Sequence, residues 1–193
     1  LILAGLAGAI APQTAAAKVY TIEVGGVQIT SENAANITGP NITGKVSFDE
    51  STHTLILNNA TIDGGSESAI AYKAIGKDRK IVPADGITIR LQGNNTLKSG
   101  IGPTISAHAS IRITGGGSLT IKSGNSAIKV GNADMKEANL TIENCTLTAD
   151  RWMMIVGNLQ IKNSNVYVSQ NIGAASTNLP TTPWARSIWV MVS

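Results

Sequence analysis

Leu140-Thr-Ile-Glu-Asn144-Cys145-Thr-Leu147 decides the fold of this chain, because the same arrangement stands at Leu55-Ile-Leu-Asn-Asn59-Ala60-Thr-Ile62 and at Leu159-Gln-Ile-Lys-Asn163-Ser164-Asn-Val166. The shared template is apolar, any, apolar, any, Asn, small, any, apolar. Two further copies, Ile89-Arg-Leu-Gln-Gly93-Asn-Asn-Thr-Leu97 and Ile111-Arg-Ile-Thr-Gly115-Gly-Gly-Ser-Leu119, are longer by one residue and carry Gly where the Asn stood. Such self-similarity is the signature of a repeat architecture.

Within one copy the alternation has period two, which puts Leu55 and Leu57, or Leu140 and Ile142, on one face of a short strand. The Asn or Gly that follows suits a sharp bend, since both enter the left-handed backbone region more readily than other residues. A second strand starts beyond the bend at Ile62, Leu97, Leu119, Leu147 or Val166, and a third apolar segment lies between copies, as in Ser68-Ala-Ile-Ala-Tyr72 and Ser126-Ala-Ile-Lys-Val130. Three strands per unit, with loops of varying length between constant strands, is what stacked coils permit. A hairpin meander would need tight primed turns between successive strands, and the repeated bend here joins unlike strands of one recurring unit. The reading is therefore an all-β chain whose residues 45–175 form a right-handed single-stranded parallel β-helix of about five coils. Stacking the copies about 4.8 Å apart places Asn59, Asn144 and Asn163 in an amide ladder that the Gly copies interrupt. It also sets Arg90 level with Arg112, Glu143 beside Lys162, and Cys145 in one column with Ala60 and Ser164.

The ends differ from the repeats. Val19-Tyr-Thr-Ile-Glu-Val24 and Val27-Gln-Ile29 alternate around Gly25-Gly26, which predicts a β-hairpin; with the loop that follows, residues 18–44 form an N-terminal cap over an otherwise unpaired coil edge. Lys45–Thr54 then supplies a strand and turn leading into the first copy. Residues 1–17 carry no charge and end in small residues, like the remnant of a secretory signal cut near Ala17. Pro180, Pro183 and Trp184 break the pattern, so 176–193 is expected to be irregular, or to mark a longer protein cut there.

Composition narrows the function classes. The chain has 193 residues, 42% of them hydrophobic, enough for one domain with an aliphatic core. A net charge of +3 from 15 basic and 12 acidic residues, with no basic run, argues against a nucleic-acid partner. The apolar leading stretch is too short for a membrane span. Cys145 is the single cysteine, so an intrachain disulfide and a cysteine-built zinc site are excluded; its small-residue column makes it a packed thiol rather than a nucleophile.

The segments Val24-Gly-Gly-Val-Gln-Ile-Thr-Ser31, Gly44-Lys-Val-Ser-Phe-Asp-Glu-Ser-Thr-His-Thr-Leu-Ile-Leu-Asn-Asn-Ala-Thr-Ile62 and Ile113-Thr-Gly-Gly-Gly-Ser-Leu-Thr-Ile121 resemble bacterial exported carbohydrate-binding-domain-containing proteins with a right-handed parallel β-helix. The resemblance spans roughly residues 19–168 and rests on strand and turn residues. It implies a cell-surface or secreted protein that binds polysaccharide, including acidic glycans with calcium; fold alone assigns no function.

Enzyme chemistry has little support in the residues. A glycoside hydrolase needs two facing carboxylates, and Asp49, Glu50, Asp63, Glu67, Asp78, Asp85, Asp134, Glu137, Glu143 and Asp150 are scattered, without an Asp-Asp pair or a Gly-His-Gly motif. A calcium-dependent lyase of pectate-lyase type needs clustered carboxylates and a nearby base; no carboxylate column forms, and His53 and His108 have no fixed partner in sequence, which suits solvated surface roles. The one constellation is basic: Arg90 and Arg112 on the outer face of the first strand, with Lys98 and Lys122 on the next strand at neighbouring but not identical positions. Guanidinium pairs suit the carboxylates of an acidic glycan. The same charges also serve solubility and discourage edge association, and Trp152 with Tyr167 is a weaker sugar-stacking alternative. The sequence thus points to a noncatalytic polysaccharide-binding or adhesin-like module, with a calcium-dependent lyase or a structural stalk as alternatives.

Overall fold

A computed structural model describes residues 16–73, 86–131, 138–174, 176–178 and 188–190, and within them the chain is all β. Strands β1 (Val19–Val24) and β2 (Val27–Thr30) form the expected hairpin, with Gly25 and Gly26 at φ 54° and 81° as a primed two-residue turn requires. β3 (Ile42–Asp49) and β4 (Thr54–Asp63) are also antiparallel. In the turn between them the Asp49 carboxylate accepts from the Ser51 N–H at 2.9 Å, the Ser51 hydroxyl at 2.7 Å and the Thr52 hydroxyl at 2.8 Å, bonds that hold its pKa below the ordinary value.

β4 carries both arms of the first sequence copy, with Asn59 at the corner, and β5 (Ile70–Tyr72) completes the first coil. The second coil is β6 (Ile87–Gln92), β7 (Asn94–Ser99) and β8 (Ile105–Ala107); the third is β9 (Ile111–Thr114), β10 (Ser118–Ser123) and β11 (Ile128–Val130). β12 (Leu140–Glu143), β13 (Thr146–Ala149) and β14 (Met153–Ile155) form the fourth, and β15 (Asn158–Lys162), β16 (Asn165–Val168) and β17 (Ile172–Gly173) the fifth. Equivalent strands of successive coils pair in parallel. A first row runs from β4 through β6, β9, β12 and β15, a second from β4 through β7, β10, β13 and β16, and a third from β5 through β8, β11, β14 and β17. This stacking is consistent with a parallel β-helix. β18 (Ser176–Asn178) extends the first row and β19 (Ile188–Val190) the second, so parallel pairing continues past residue 175, where the sequence reading ended the coils. Residues 1–15 of the expected leader, the proline-containing stretch 179–187, and Asp78, Asp85, Asp134 and Glu137 lie outside the described residues.

At the other edge the partners are antiparallel: β1 lies against β5, with Ile22 opposite Tyr72 and Val24 opposite Ile70, and β3 lies against β4, with Val46 opposite Leu57. The inward positions of the template are all buried, and Leu55, Ile89, Ile113, Ile142 and Ile161 stand on successive rungs of the first row. Burying each such side chain contributes about 1.5–3 kcal/mol. The bends lie in the left-handed region as their residue types require: Asn59, Asn144 and Asn163 at φ 48°, 52° and 44°, Gly93 and Gly115 at 63° and 117°.

One register differs from the alignment of the copies. Ile111 pairs with Ile87 and Ile113 with Ile89, a slip of two residues between the second and third coils that persists across the bend, where Leu97 pairs with Ile121. A two-residue slip leaves every side chain on its original face, so the hydrophobic pattern is blind to it. The glycines of the third coil accommodate it. A side chain at Gly115 would run into the Leu91 backbone, and one at Gly117 into the Leu91 and Gly93 backbone. Cys145 consequently keeps its place beside Ser164 but is no longer level with Ala60, which stands beside Asn95.

The amide ladder does not form as expected. The Asn59 side chain folds over Gly93, where a Cβ would strike its amide, and its Oδ1 accepts the Asn94 N–H at 3.0 Å. No hydrogen bond joins the Asn144 and Asn163 amides; the corner there is held by the backbone, Asn144 N–H donating to Lys162 O at 3.1 Å. The internal amide bridge is Asn95, whose side chain the coil encloses. Its Oδ1 accepts the Ala60 N–H at 2.9 Å from the coil on one side, and its Nδ2 donates to Ser118 O at 3.2 Å on the other and to Gln92 O at 3.2 Å within its own coil.

Candidate functional site

The outward face of the second row is built by the same alternation that fills the core. With Leu97, Ile121, Leu147 and Val166 pointing inward, the residues between them form columns at the strand spacing of about 4.8 Å. One column runs Thr61, Thr96, Thr120, Thr148 and Tyr167 without a break in register, and Tyr167 is exposed. A second runs Asn94, Ser118, Thr146 and Asn165, with the Ser118 hydroxyl donating to Asn94 Oδ1 at 2.8 Å. The third contains Asp63, Lys98 and Lys122. Asp150 follows Ala149, the partner of Ile121, and accepts the Ser123 N–H at 2.9 Å.

Lys98 and Lys122 are therefore direct register partners, closer than the sequence reading placed them. Neither makes an ion pair among the described residues, and both are exposed. Like charges directly opposite one another on neighbouring strands are unfavourable, and the column flanks the pair with carboxylates, Asp63 level with Lys98 and Asp150 level with Lys122.

Arg90 and Arg112 behave in the opposite way. Because of the slip, Arg90 stands level with Thr114 and Arg112 with Thr88, so the expected arginine column does not exist. The two instead lie diagonally in one shallow depression with Thr54, Thr88, Thr114 and Gly115. Arg112 is already engaged: its Nε donates to Glu143 Oε1 at 2.9 Å and its Nη2 pairs with the same carboxylate. Glu143 is level with Lys162, as the copies imply, yet its charge partner is Arg112. The reason is geometric. The rung below places Arg112 opposite Thr141, two residues from Glu143, a diagonal that a long guanidinium side chain spans.

The remaining titratable groups among the described residues are dispersed. Cys145 is buried and its backbone N–H donates to Ser164 Oγ at 3.2 Å; burial pushes its thiol pKa up, away from the reactive thiolate. His53 is half-buried against Phe48 rather than solvated, with ring centroids 6.2 Å apart, and His108 is also half-buried. Among the described residues no three His, Cys, Asp or Glu side chains converge on a point where a metal ion could sit. Trp152 precedes a third-row strand while Tyr167 stands in the second row, so these aromatics are not brought together. No helix among the described residues is long and apolar enough to cross a membrane.

The threonine column and the Asn95 bridge escaped the sequence reading. The signal was present as a polar residue between apolar ones, but its alignment depends on the slipped register. Comparison with protein-family models, with curated proteins and with solved structures yields no match to this chain.

Proposed function

We propose that this protein is a noncatalytic polysaccharide-binding module, exported to the bacterial surface or beyond it, that holds an extended acidic glycan along the outward face of the second strand row. The observation that carries the reading is the level pair Lys98 and Lys122, exposed and in no close ion pair among the described residues, beside an in-register column of threonine hydroxyls. Hydroxyls and amides held on a rigid sheet meet sugar hydroxyls with little ordering cost. The two ammonium groups take a carboxylate or sulfate lying between rungs, and Tyr167 offers a ring face at one end of the column. Arg90, on the adjoining row, adds a further cation; Arg112 contributes less because Glu143 occupies it.

The scaffold is inferred to wind right-handed, since crossovers between parallel strands are right-handed in about 98% of cases. The hairpin β1–β2 and the antiparallel β3 act as a cap, presenting antiparallel partners where the first coil would otherwise expose an edge. The uncharged stretch 1–17 supports export, and the resemblance to exported carbohydrate-binding proteins agrees with it.

A glycan array of neutral and acidic polysaccharides, combined with a lyase assay for unsaturated product with and without calcium, tests the reading. Binding to acidic glycans that weakens with salt is expected, and Lys98→Ala with Lys122→Ala should reduce it roughly 2- to 30-fold, the sum of two exposed charge contacts. Unchanged affinity in that double variant removes the site. Unsaturated product would make the chain a lyase, and silence on every glycan would leave a structural stalk.

A further inference from the structure

The outward threonines of the second row form one track that starts in the N-terminal cap. Thr43 of β3 stands level with Thr61, Thr61 pairs in register with Thr96, Thr96 with Thr120 and Thr120 with Thr148. Five consecutive rungs therefore carry the same side chain, a stripe of about 19 Å at the strand spacing of about 4.8 Å. Thr43 and Thr148 are exposed and the three between them half-buried. None of the five hydroxyls bonds to another described group and none is enclosed, so each opens to solvent.

Among the described residues no other row repeats one side chain in this way. The third row presents Ala71, Ser106, Lys129 and Met154 on successive rungs. The first row interrupts its threonines with Arg112, level with both Thr88 and Thr141. Threonine suits outward strand positions generally, so strand propensity would scatter it over all three rows rather than gather it into one column. The track also has borders: Asn94, Ser118 and Thr146 flank it on one side, and Asp63, Lys98 and Lys122 on the other.

We propose that the glycan runs along this track, parallel to the stacking axis of the coils, with one sugar on each rung from Thr43 to Thr148. This placement rests on the polysaccharide reading above and adds the direction, the register and the linkage class. A ligand that repeats at the rung spacing meets the same hydroxyl at every step, whereas one with another repeat drifts off it within a few rungs. Pyranose rings joined directly by 1,4 linkages advance, when extended, by close to one strand spacing per sugar. Linkage through an exocyclic arm lengthens the repeat and breaks the match. Because the sheet already fixes the five threonine backbones, each further sugar adds a contact at little ordering cost.

The probes are β-1,4-linked mannuronate oligomers of two to seven sugars, titrated into the full chain by calorimetry. Oligosialic acids of the same lengths, α-2,8-linked through an exocyclic arm, serve as acidic chains with the wrong repeat. Mannuronate affinity should rise about 2- to 10-fold per added sugar up to five and then level, and oligosialic acid should show no such steps. Thr61→Val and Thr148→Val keep the branched shape and the fold. Each should weaken the pentamer about 2- to 10-fold and spare the dimer, which the lysine pair holds over the Thr96 and Thr120 rungs; Thr148→Ser should restore the pentamer. An affinity that levels at two sugars, equal steps for oligosialic acid, or a pentamer indifferent to both valine variants overturns the track while leaving the lysine pair as a glycan site. Failure of every acidic glycan to bind overturns both.

Discussion

Replacing Asn95 with alanine tests whether a buried amide, rather than the hydrophobic columns alone, locks the second coil to its neighbours. Asn95 accepts the Ala60 N–H from one coil and donates to Ser118 O on the other. Its alanine variant strands the Ala60 N–H, which is fully buried, at about 1–3 kcal/mol, and opens a small cavity that adds to the loss. A decrease of about 2–4 kcal/mol in unfolding free energy is expected, read from urea titrations followed by far-UV circular dichroism. Asn95→Leu sharpens the test. Leu119 occupies the paired position on the next coil, so leucine would extend an apolar stack and gain burial of about 1.5–3 kcal/mol, offset by the orphaned N–H and by overpacking of about 1–3 kcal/mol. The leucine variant should therefore fall between wild type and alanine. An Asn95→Leu protein as stable as wild type, or an alanine variant within about 0.5 kcal/mol of it, would refute the bridging role.

At the Asn144 corner, with φ 52°, Asn144→Gly should change stability by only a few tenths of a kcal/mol, whereas Asn144→Ala should lose about 1–2 kcal/mol because alanine resists the left-handed region; urea midpoints compare the two. Glu143→Gln should lower stability by about 0.2–1 kcal/mol at low salt and by nothing measurable in 1 M NaCl, while Lys162→Ala should have no effect, since Arg112 and not Lys162 holds the Glu143 carboxylate. Burial raises the pKa of Cys145 above 9.0 and that of Tyr72 from 10.0 to about 12. Both groups then keep their protons longer in the folded than in the unfolded chain, so their contribution is full below pH 9 and is lost as pH rises through the raised values. Urea midpoints should fall above pH 9, less steeply in Tyr72→Phe, and Cys145 should resist thiol reagents at pH 8 until denaturant is added.

Much of the fold is legible in the chain because the inward positions obey a strict parity. Leu55, Leu57, Ile62 and their counterparts are apolar at spacings that only short strands bent at Asn or Gly can bury, and the left-handed φ values at Asn59, Gly93, Gly115, Asn144 and Asn163 follow from residue type. The hairpin at Gly25-Gly26 is equally local, since both residues can adopt the positive φ of a primed turn. The candidate site was less legible. Lys98 and Lys122 read as neighbours and are partners; Arg90 and Arg112 read as partners and are diagonal. His53 read as solvated and is half-buried beside Phe48, in a turn whose His53 carbonyl accepts the Thr88 N–H at 3.1 Å.

Sequence alone thus determined which side chains enter the core and where the strands bend, because both depend on period-two alternation and on the backbone freedom of single residues. Only the tertiary structure decided which outward residues stand level with one another. A shift of two residues between coils conserves every inward contact class, so the choice between Arg90 over Arg112 and Lys98 over Lys122 rests on the close approach of Gly115 and Gly117 to the Leu91–Gly93 backbone, an inter-coil packing condition that the one-dimensional pattern does not encode.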